Sequence, residues 1–321
     1  MSENKQRCAI GIDFGGTFVK LARVNEHGVI GSRASFATTG LKGVQAWLDE
    51  VQRHIEMLLA DVADHTEWVG IGVGVPGFVD YAKGYVYNLT NVPGWTGVAL
   101  AEKLTERFGK TARVDNDVNA MAIGECTFGA GQAYQHAVFI TLGTGVGGGL
   151  LLNNKLYRGA SSMAGEIGHM SIDRNGIESP MGKGGVEQYI GNRQIVDYAQ
   201  KQLAAGRKST ILDVAEGRLD HVSPKVIAHA AEEGDALACE VFDYVADCLA
   251  TIMASVAYLL QPQAFIIGGG VAAAGSILFE PLRKHLAARL CSHFMDRLVI
   301  KRAELGNDAG VIGAATLTFL E

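Results

Sequence analysis

A carboxylate beside a glycine-rich turn is the first feature of this sequence that could do chemistry. Asp13 directly precedes the Gly-Gly-Thr turn at 15–17, and Lys20 follows it. Turn amides and a hydroxyl group bind phosphate oxygens, and a lysine adds charge. A neighbouring carboxylate suits Mg²⁺, which prefers one or two carboxylates together with water and phosphate oxygens. The alternative is an aspartate that only caps its own turn.

Asp117 is the candidate general base. It ends the polar run Asp-Asn-Asp at 115–117, which follows a short predicted strand, Ala-Arg-Val at 112–114. A hydroxyl group that attacks a phosphoryl group needs a carboxylate to accept its proton, while positioning and charge neutralisation supply most of the rate. The alternative is a helix N-cap, because Asp and Asn are favoured there.

Two further carboxylates and an imidazole lie among small residues. Glu166 and His169 are three residues apart in the segment 165–169, Gly-Glu-Ile-Gly-His, and Glu187 follows a glycine-rich stretch. Small residues let a ligand approach closely, so Glu166 and His169 could hydrogen-bond a polyol. They could equally form a structural network, and Glu187 alone would be a helix-start carboxylate.

Two glycine-turned hairpins are the elements that must position these groups. Residues 9–22, with a second turn at 25–28, predict a strand-turn-strand-turn-strand meander, and residues 137–152 repeat this plan. Either hairpin alone could be an ordinary tight turn. Together, at the openings of two domains, they predict turns that face a shared cleft with phosphate between them.

Alternating helices and strands fill the rest of the chain. The apolar spacing predicts helices over 44–59, 98–108, 224–233, 235–260 and 311–319, and strands over 69–75, 112–114 and 264–267. The strand over 112–114 would present 115–117 at its carboxyl end, where ligands bind in open α/β sheets.

Composition excludes several classes of protein. The 321 residues include 28 Lys+Arg and 34 Asp+Glu, with a formal net charge of −6, so nucleic acid and anionic membranes are not expected partners. Five scattered cysteines without a C-x-x-C pair argue against a disulfide framework. No signal peptide or membrane span is expected, which predicts a cytoplasmic protein.

In combination, these motifs resemble the ROK family of sugar kinases, in the actin-like ATPase and hexokinase clan. The resemblance runs from end to end: Asp-Phe-Gly-Gly-Thr at 13–17, Asn-Asp-x-Asn-Ala at 116–120, Leu-Gly-Thr-Gly at 142–145 and Glu-Ile-Gly-His at 166–169 match that family's motifs in order. It implies an α/β fold of two actin-like ATPase (ribonuclease H-like) domains flanking a cleft. The expected domains are 1–117, with a C-terminal helix at about 306–321 packed back on it, and 118–305.

The resemblance also implies roles for individual residues. Asp117 would be the catalytic base. Sugar contacts would come from Gly77, Asn91, Asn116, Asp117, Glu166, His169 and Glu187. Nucleotide contacts would come from Asp13, Gly15, Gly16, Thr17, Lys20, Gly143, Thr144, Gly145, Gly268, Gly269 and Gly270. ATP and Mg²⁺ near Asp13 would be the cofactors, and a homodimer the assembly.

One segment departs from the family pattern. The family commonly has C-x-C-G-x-x-G-C-x-E after its E-x-G-H motif, with three thiolates and the histidine around a structural zinc. The aligned run at 178–187 is Glu-Ser-Pro-Met-Gly-Lys-Gly-Gly-Val-Glu. His169 alone cannot supply a tetrahedral site, so no zinc is expected, and the loop is expected to be held by packing alone.

The resulting interpretation is an ATP-dependent hexose kinase that acts on the 6-hydroxyl of glucose. Fructose, mannose, allose or an N-acetylhexosamine stay open as acceptors, because local geometry chooses the hydroxyl stereochemistry. A catalytically silent sugar sensor is the alternative of another class. The family's repressors carry an extra N-terminal helix-turn-helix segment, and with about seven residues before the first predicted strand a repressor function is not expected.

Overall fold

The computed structural model describes residues 5–60, 66–89, 92 and 94–320. The chain divides into two compact units, Met1–Ala133 with Gly149–Ala164 and Glu304–Glu321, and Tyr134–Gly148 with Gly165–Ala303. The sequence placed the division after residue 117, which is the first residue of a helix. Because the C-terminal helix packs on that helix, the contacts group it with the first unit.

Strands and helices alternate through both units. The strands are β1 Gln6–Phe14, β2 Phe18–Asn25, β3 Ile30–Ala37, β4 Thr66–Val75, β5 Gly77–Asp80, β6 Tyr85–Leu89, β7 Thr96–Ala99, β8 Thr111–Asn116, β9 Ala137–Leu142, β10 Val146–Leu152, β11 Lys155–Leu156, β12 Glu178–Ser179, β13 Gly182–Lys183, β14 Ala264–Gly268 and β15 Val299–Arg302. The helices are α1 Gly43–Leu59, α2 Leu100–Phe108, α3 Asp117–Phe128, α4 Glu187–Ile190, α5 Asn192–Ala204, α6 Ile211–Val214, α7 Pro224–Glu232, α8 Ala236–Leu260, α9 Ser276–Ala287, α10 Ser292–Met295 and α11 Ala309–Thr316.

The predicted meander and the second hairpin are both confirmed. Strands β1, β2 and β3 pair antiparallel, and β4 and β8 extend the sheet in parallel, in the order β3-β2-β1-β4-β8. The second five-stranded sheet has the order β11-β10-β9-β14-β15, with β14 parallel to β9 and β15. One prediction was wrong: Val98 lies in β7 and not in the following helix, because it pairs with Val86 of β6.

Helix α8 matches the helix predicted over 235–260 and is mostly apolar. Most of its inward face is buried, including Cys248 and Met253. In the part of the chain that the structure describes, no helix combines the length and apolar character needed to cross a membrane.

Close packing of α11 fixes the helix that begins at Asp117. Gly11 and Gly72 let α11 lie against the backbone of β1 and β4, and Gly313 lets α11 meet α3, since a methyl group at any of these positions would overlap a backbone carbonyl oxygen. On the other face of the sheet, buried Phe14 stacks on Trp47 with ring centroids 5.1 Å apart. The sheet and α11 therefore hold α3, the helix that begins at Asp117.

Substituting Gly72 should test this packing. A methyl group there overlaps the carbonyl oxygen of Ala314, so Gly72→Ala should lower the free energy of unfolding by at least about 3 kcal/mol, because backbone atoms must move apart. Urea unfolding measures this change. At Gly16 an added methyl group meets no atom within 4 Å, so Gly16→Ala should change stability by less than about 0.5 kcal/mol. Equal stability of the two variants would contradict the close approach.

Candidate active site

The junction of β8 and α3 presents the candidate base. Asn116 is the N-cap of α3, and its Oδ1 accepts from the backbone N–H groups of Val118 at 2.9 Å and Asn119 at 3.3 Å. Asp117 is the first helical residue, and its Oδ1 accepts from Val118 N at 2.9 Å. The capping role therefore belongs to Asn116, while the Asp117 carboxylate lies in the first turn, at the positive end of the helix dipole.

Gly77 and Asn116 meet in the first unit. The Asn116 side-chain amide donates to the Gly77 carbonyl oxygen at 3.2 Å. Gly77 has a φ of +149°, and a methyl group there would overlap the carbonyl oxygen of Asn88. The predicted sugar contact Asn91 lies outside the described residues.

The first glycine turn is a tight hairpin. Gly15 N donates to Phe18 O at 3.0 Å, and the Thr38 hydroxyl donates to Gly15 O at 2.7 Å. Such bonds fix the backbone of Gly15, Gly16 and Thr17, so that the turn is preorganised.

Asp13 and Lys20 face each other across this hairpin. They are register partners in β1 and β2, and Lys20 Nζ lies 3.5 Å from Asp13 Oδ2. Burial raises the pKa of Asp13, and Lys20 counteracts the shift. A largely buried carboxylate beside a turn that is expected to bind phosphate has the donor chemistry that Mg²⁺ favours.

The second hairpin is tied to α4 and α5. Gly143 N donates to Gly145 O at 3.0 Å, and Gly143 O accepts from Asn192 N at the start of α5 at 2.8 Å. Val146 N donates to Glu187 Oε2 at 3.0 Å. Glu187, expected to contact sugar, thus also anchors the hairpin expected to contact nucleotide.

Glu166, His169 and Glu187 come together in the second unit. Glu166 Oε2 lies 3.6 Å from His169 Nε2. Partial burial raises the pKa of Glu166, as does the negative charge of Glu187, while His169 counteracts the shift. Gly168, a residue that sequence reasoning did not single out, lets this segment pack on β10, because a methyl group there would overlap the carbonyl oxygen of Val146.

Replacing Glu166 should raise the thermal stability of the protein and weaken its binding of sugar. Because the pKa of Glu166 is raised in the folded state, its ionised form destabilises the fold at neutral pH, and this penalty disappears as the pH falls through the raised pKa. Glu166→Gln should therefore raise the Tm at neutral pH, with a gain that shrinks on acidification, and weaken sugar binding. Thermal unfolding over a pH series measures this, with the exposed Glu178→Gln as a control that leaves the Tm unchanged. A lower Tm for Glu166→Gln would contradict the electrostatic account.

The loop that lacks the family's cysteines is held by hydrogen bonds, so the expectation of packing alone was wrong. Ile172 N donates to Gly184 O at 2.9 Å, and Gly184 N to Ile177 O at 2.8 Å. The Tyr189 hydroxyl accepts from Ile177 N at 3.2 Å. Among the described residues, no group of three His, Cys, Asp or Glu side chains is arranged to hold a metal ion. His169 without the three cysteines does not fit a structural zinc, which needs four ligands.

Of the three glycines at the end of β14, Gly269 packs tightly against β9. Gly269 has a φ of +86°, and a methyl group there would overlap the carbonyl oxygen of Leu142 at the end of β9. Gly268 is the last residue of β14, whereas Gly270 has no atom within 4 Å of an added methyl group. Their role at the adenosine stays a prediction.

Comparison with known proteins decides the family. The model of the ROK family matches residues 9–319. The chain belongs to the ROK family. A glucokinase of Thermotoga maritima is 32% identical over 308 residues, covering 96% of this chain and 96% of that protein. A glucokinase of Streptomyces coelicolor is 34% identical, again over 96% of each.

A solved structure of the ROK family extends the comparison to three dimensions. The ROK family glucokinase from Streptomyces griseus, in complex with glucose and AMPPNP, is 33% identical to this chain. It superposes with a TM-score of 0.81, over 97% of this chain and 98% of that one. The predicted fold class, an α/β protein of the actin-like ATPase clan, is confirmed.

Proposed function

We propose that this ROK protein is an ATP-dependent glucokinase that phosphorylates the 6-hydroxyl of glucose. The observation that carries the proposal is the 32% and 34% identity to glucokinases over 96% of the chain. The arrangement of Asn116 and Asp117 at the start of α3 supports it, because Asn116 supplies the helix cap and Asp117 brings a carboxylate to the same helix end.

Asp117 accepts the proton of the attacking hydroxyl group. As the O6 oxygen of glucose bonds to the γ-phosphorus of ATP, the bond from that phosphorus to ADP breaks, and the proton passes to the carboxylate. Asn116 caps the helix that carries Asp117, and through Gly77 it also fixes the adjoining turn. Asn116 and Asp117 then both bind the sugar.

Glu166, His169 and Glu187 orient the sugar from the second unit. A carboxylate accepts hydrogen bonds from sugar hydroxyl groups, and an imidazole donates or accepts one. Since polar groups that a bound sugar covers but does not pair with weaken binding, this set gives selectivity.

The two hairpins bind the phosphates of ATP. Gly15, Gly16 and Thr17 supply amide groups and a hydroxyl, and Gly143 to Gly145 supply the second set. Asp13 is the residue that would hold Mg²⁺, and the ion supplies charge neutralisation on the phosphates. The cytoplasm is the proposed location and a homodimer the proposed assembly.

ADP release from Mg²⁺-ATP across a panel of sugars tests this function. Glucose should stimulate turnover more than fructose, mannose, allose, N-acetylglucosamine and N-acetylmannosamine. If another sugar gives the fastest turnover, that sugar replaces glucose as the proposed acceptor, and the proposed kinase activity stands. Absence of any stimulated turnover, with a rise in Tm on adding a sugar, would identify a sugar sensor and overturn the catalytic assignment.

A further inference from the structure

A buried ion pair lies directly beside the candidate base. Asp115 is 1% exposed, and its Oδ2 accepts from Arg158 Nε at 2.8 Å and Nη2 at 2.7 Å. Its Oδ1 accepts from Asn116 N at 2.8 Å and from Asn119 Nδ2 at 3.0 Å. Each carboxylate oxygen therefore accepts two hydrogen bonds, which fixes the orientation of the group.

Arg158 is itself held in place by an aromatic ring and by a backbone hydrogen bond. The centre of its guanidinium group lies 3.6 Å from the centroid of the Tyr81 ring, in a cation–π contact. Tyr81 N in turn donates to the Ser162 hydroxyl at 3.2 Å. Ala164 N donates to Arg158 O at 3.0 Å, which closes the segment 158–164 on itself.

This network connects three parts of the first unit. Asp115 lies near the end of β8, just before α3. Tyr81 lies in the turn after β5, and Arg158 lies in the segment after β11. The junction carries Asn116 and Asp117, and β5 begins at Gly77, whose carbonyl oxygen accepts from Asn116. The described residues of this unit that are proposed to contact sugar, Gly77, Asn116 and Asp117, thus share one polar support.

We infer that Arg158 and Asp115 are positioning residues for sugar phosphorylation. They act through Asn116 and Asn119, whose bonds to Asp115 set the start of α3 and hence the direction of the Asp117 carboxylate. The inference rests on the proposed function, since it assigns Asn116, Asp117 and Gly77 to the sugar. The network includes none of the residues assigned to the nucleotide.

Removing the guanidinium group alone has two effects that must be separated. Arg158→Met leaves Asp115 buried without its cation, which destabilises the fold. Asp115→Asn in the same chain removes that uncompensated charge. The double variant Asp115→Asn/Arg158→Met should therefore recover much of the Tm that the single variant loses.

Kinetics of the double variant decide between positioning and simple stabilisation. Because small misplacements of reacting groups are costly, kcat should fall about 10²-fold and the KM for glucose should rise roughly 10-fold, with the KM for ATP unchanged. A residue that only stabilises the fold would leave both KM values as they are. Wild-type kcat and glucose KM in a double variant with a recovered Tm would overturn the inference.

Two further variants keep the test decisive. Arg158→Lys preserves the charge but not the two-nitrogen contact, and should show the same change in glucose KM to a smaller extent. Arg107→Met removes a partly buried arginine that pairs with Asp49 at 2.6 Å in the same unit, and should leave both KM values unchanged. If Arg158→Lys, folded as judged by its Tm, binds glucose as the wild type does, the inference fails.

Binding measurements separate this inference from the proposed function. The Kd of glucose, obtained by calorimetry without turnover, should rise roughly 10-fold in the double variant through the loss of sugar-side positioning. A wild-type protein that binds glucose but phosphorylates no sugar would end the kinase proposal. An unchanged Kd in the double variant, together with an active wild type, would end the positioning role alone.

Discussion

Asp117→Asn is expected to lower kcat about 10³-fold, within the range that general bases contribute. The amide keeps the shape of the carboxylate and its contact with Val118 N, but it cannot accept the proton of the sugar hydroxyl group. The Kd for glucose should therefore stay close to that of the wild type. Steady-state kinetics with glucose and ATP, together with calorimetry of sugar binding, measure the two effects.

A second aspartate at a helix start is the matched control. Asp235 caps α8, and its Oδ1 accepts from Ala238 N at 2.8 Å. Asp235→Asn should leave kcat unchanged, because Asn caps a helix about as well as Asp. If Asp117→Asn retains wild-type turnover, Asp117 is a helix-start residue and no base.

Gly145→Ala is expected to lower kcat/KM about 10²-fold, because it displaces a proposed sugar contact. A methyl group at this position would overlap Glu187 Oε2. The carboxylate must then leave its hydrogen bond with Val146 N, which loosens both the hairpin and the sugar set. Kinetics for glucose and for ATP should show both KM values raised.

A double-mutant cycle tests whether this effect passes through Glu187. If it does, Gly145→Ala/Glu187→Ala should be no worse than Glu187→Ala alone, because the group that clashes has gone. If the losses in kcat/KM of the two single variants multiply in the double variant, the two residues act independently. That result would contradict the coupling between the hairpin at 143–145 and the sugar contact Glu187.

Local patterns in the sequence predicted the elements that carry the site. The strand-like runs and turns in residues 9–28 predicted the β1–β3 meander, and the polar run 115–117 offered a helix N-cap at the end of a strand as the alternative to a base. Both signals depend on neighbours along the chain, where periodicity and capping preferences act. The five helices that were predicted from apolar spacing have bounds close to those observed for the same reason.

Contacts between distant segments could not be predicted in this way. The hydrogen bond from Val146 N to Glu187 joins two residues of the second unit that are separated in the sequence by residues 149–164, which belong to the first unit. The ion pair of Asp115 with Arg158 likewise leaves no pattern in the spacing of residues. An arginine in a loop is usually solvent-exposed, so nothing in its sequence surroundings marks Arg158 as a buried partner. The hydrogen-bonded loop at Tyr189 was missed because backbone pairing leaves no residue-type signature.

The product formed from glucose and ATP tests the central claim most directly. Nuclear magnetic resonance of the reaction mixture should show glucose 6-phosphate and ADP in equal amounts, with no sugar phosphate formed from 6-deoxyglucose. ADP with inorganic phosphate in place of a sugar phosphate, or a phosphoryl group on another hydroxyl, would contradict the account.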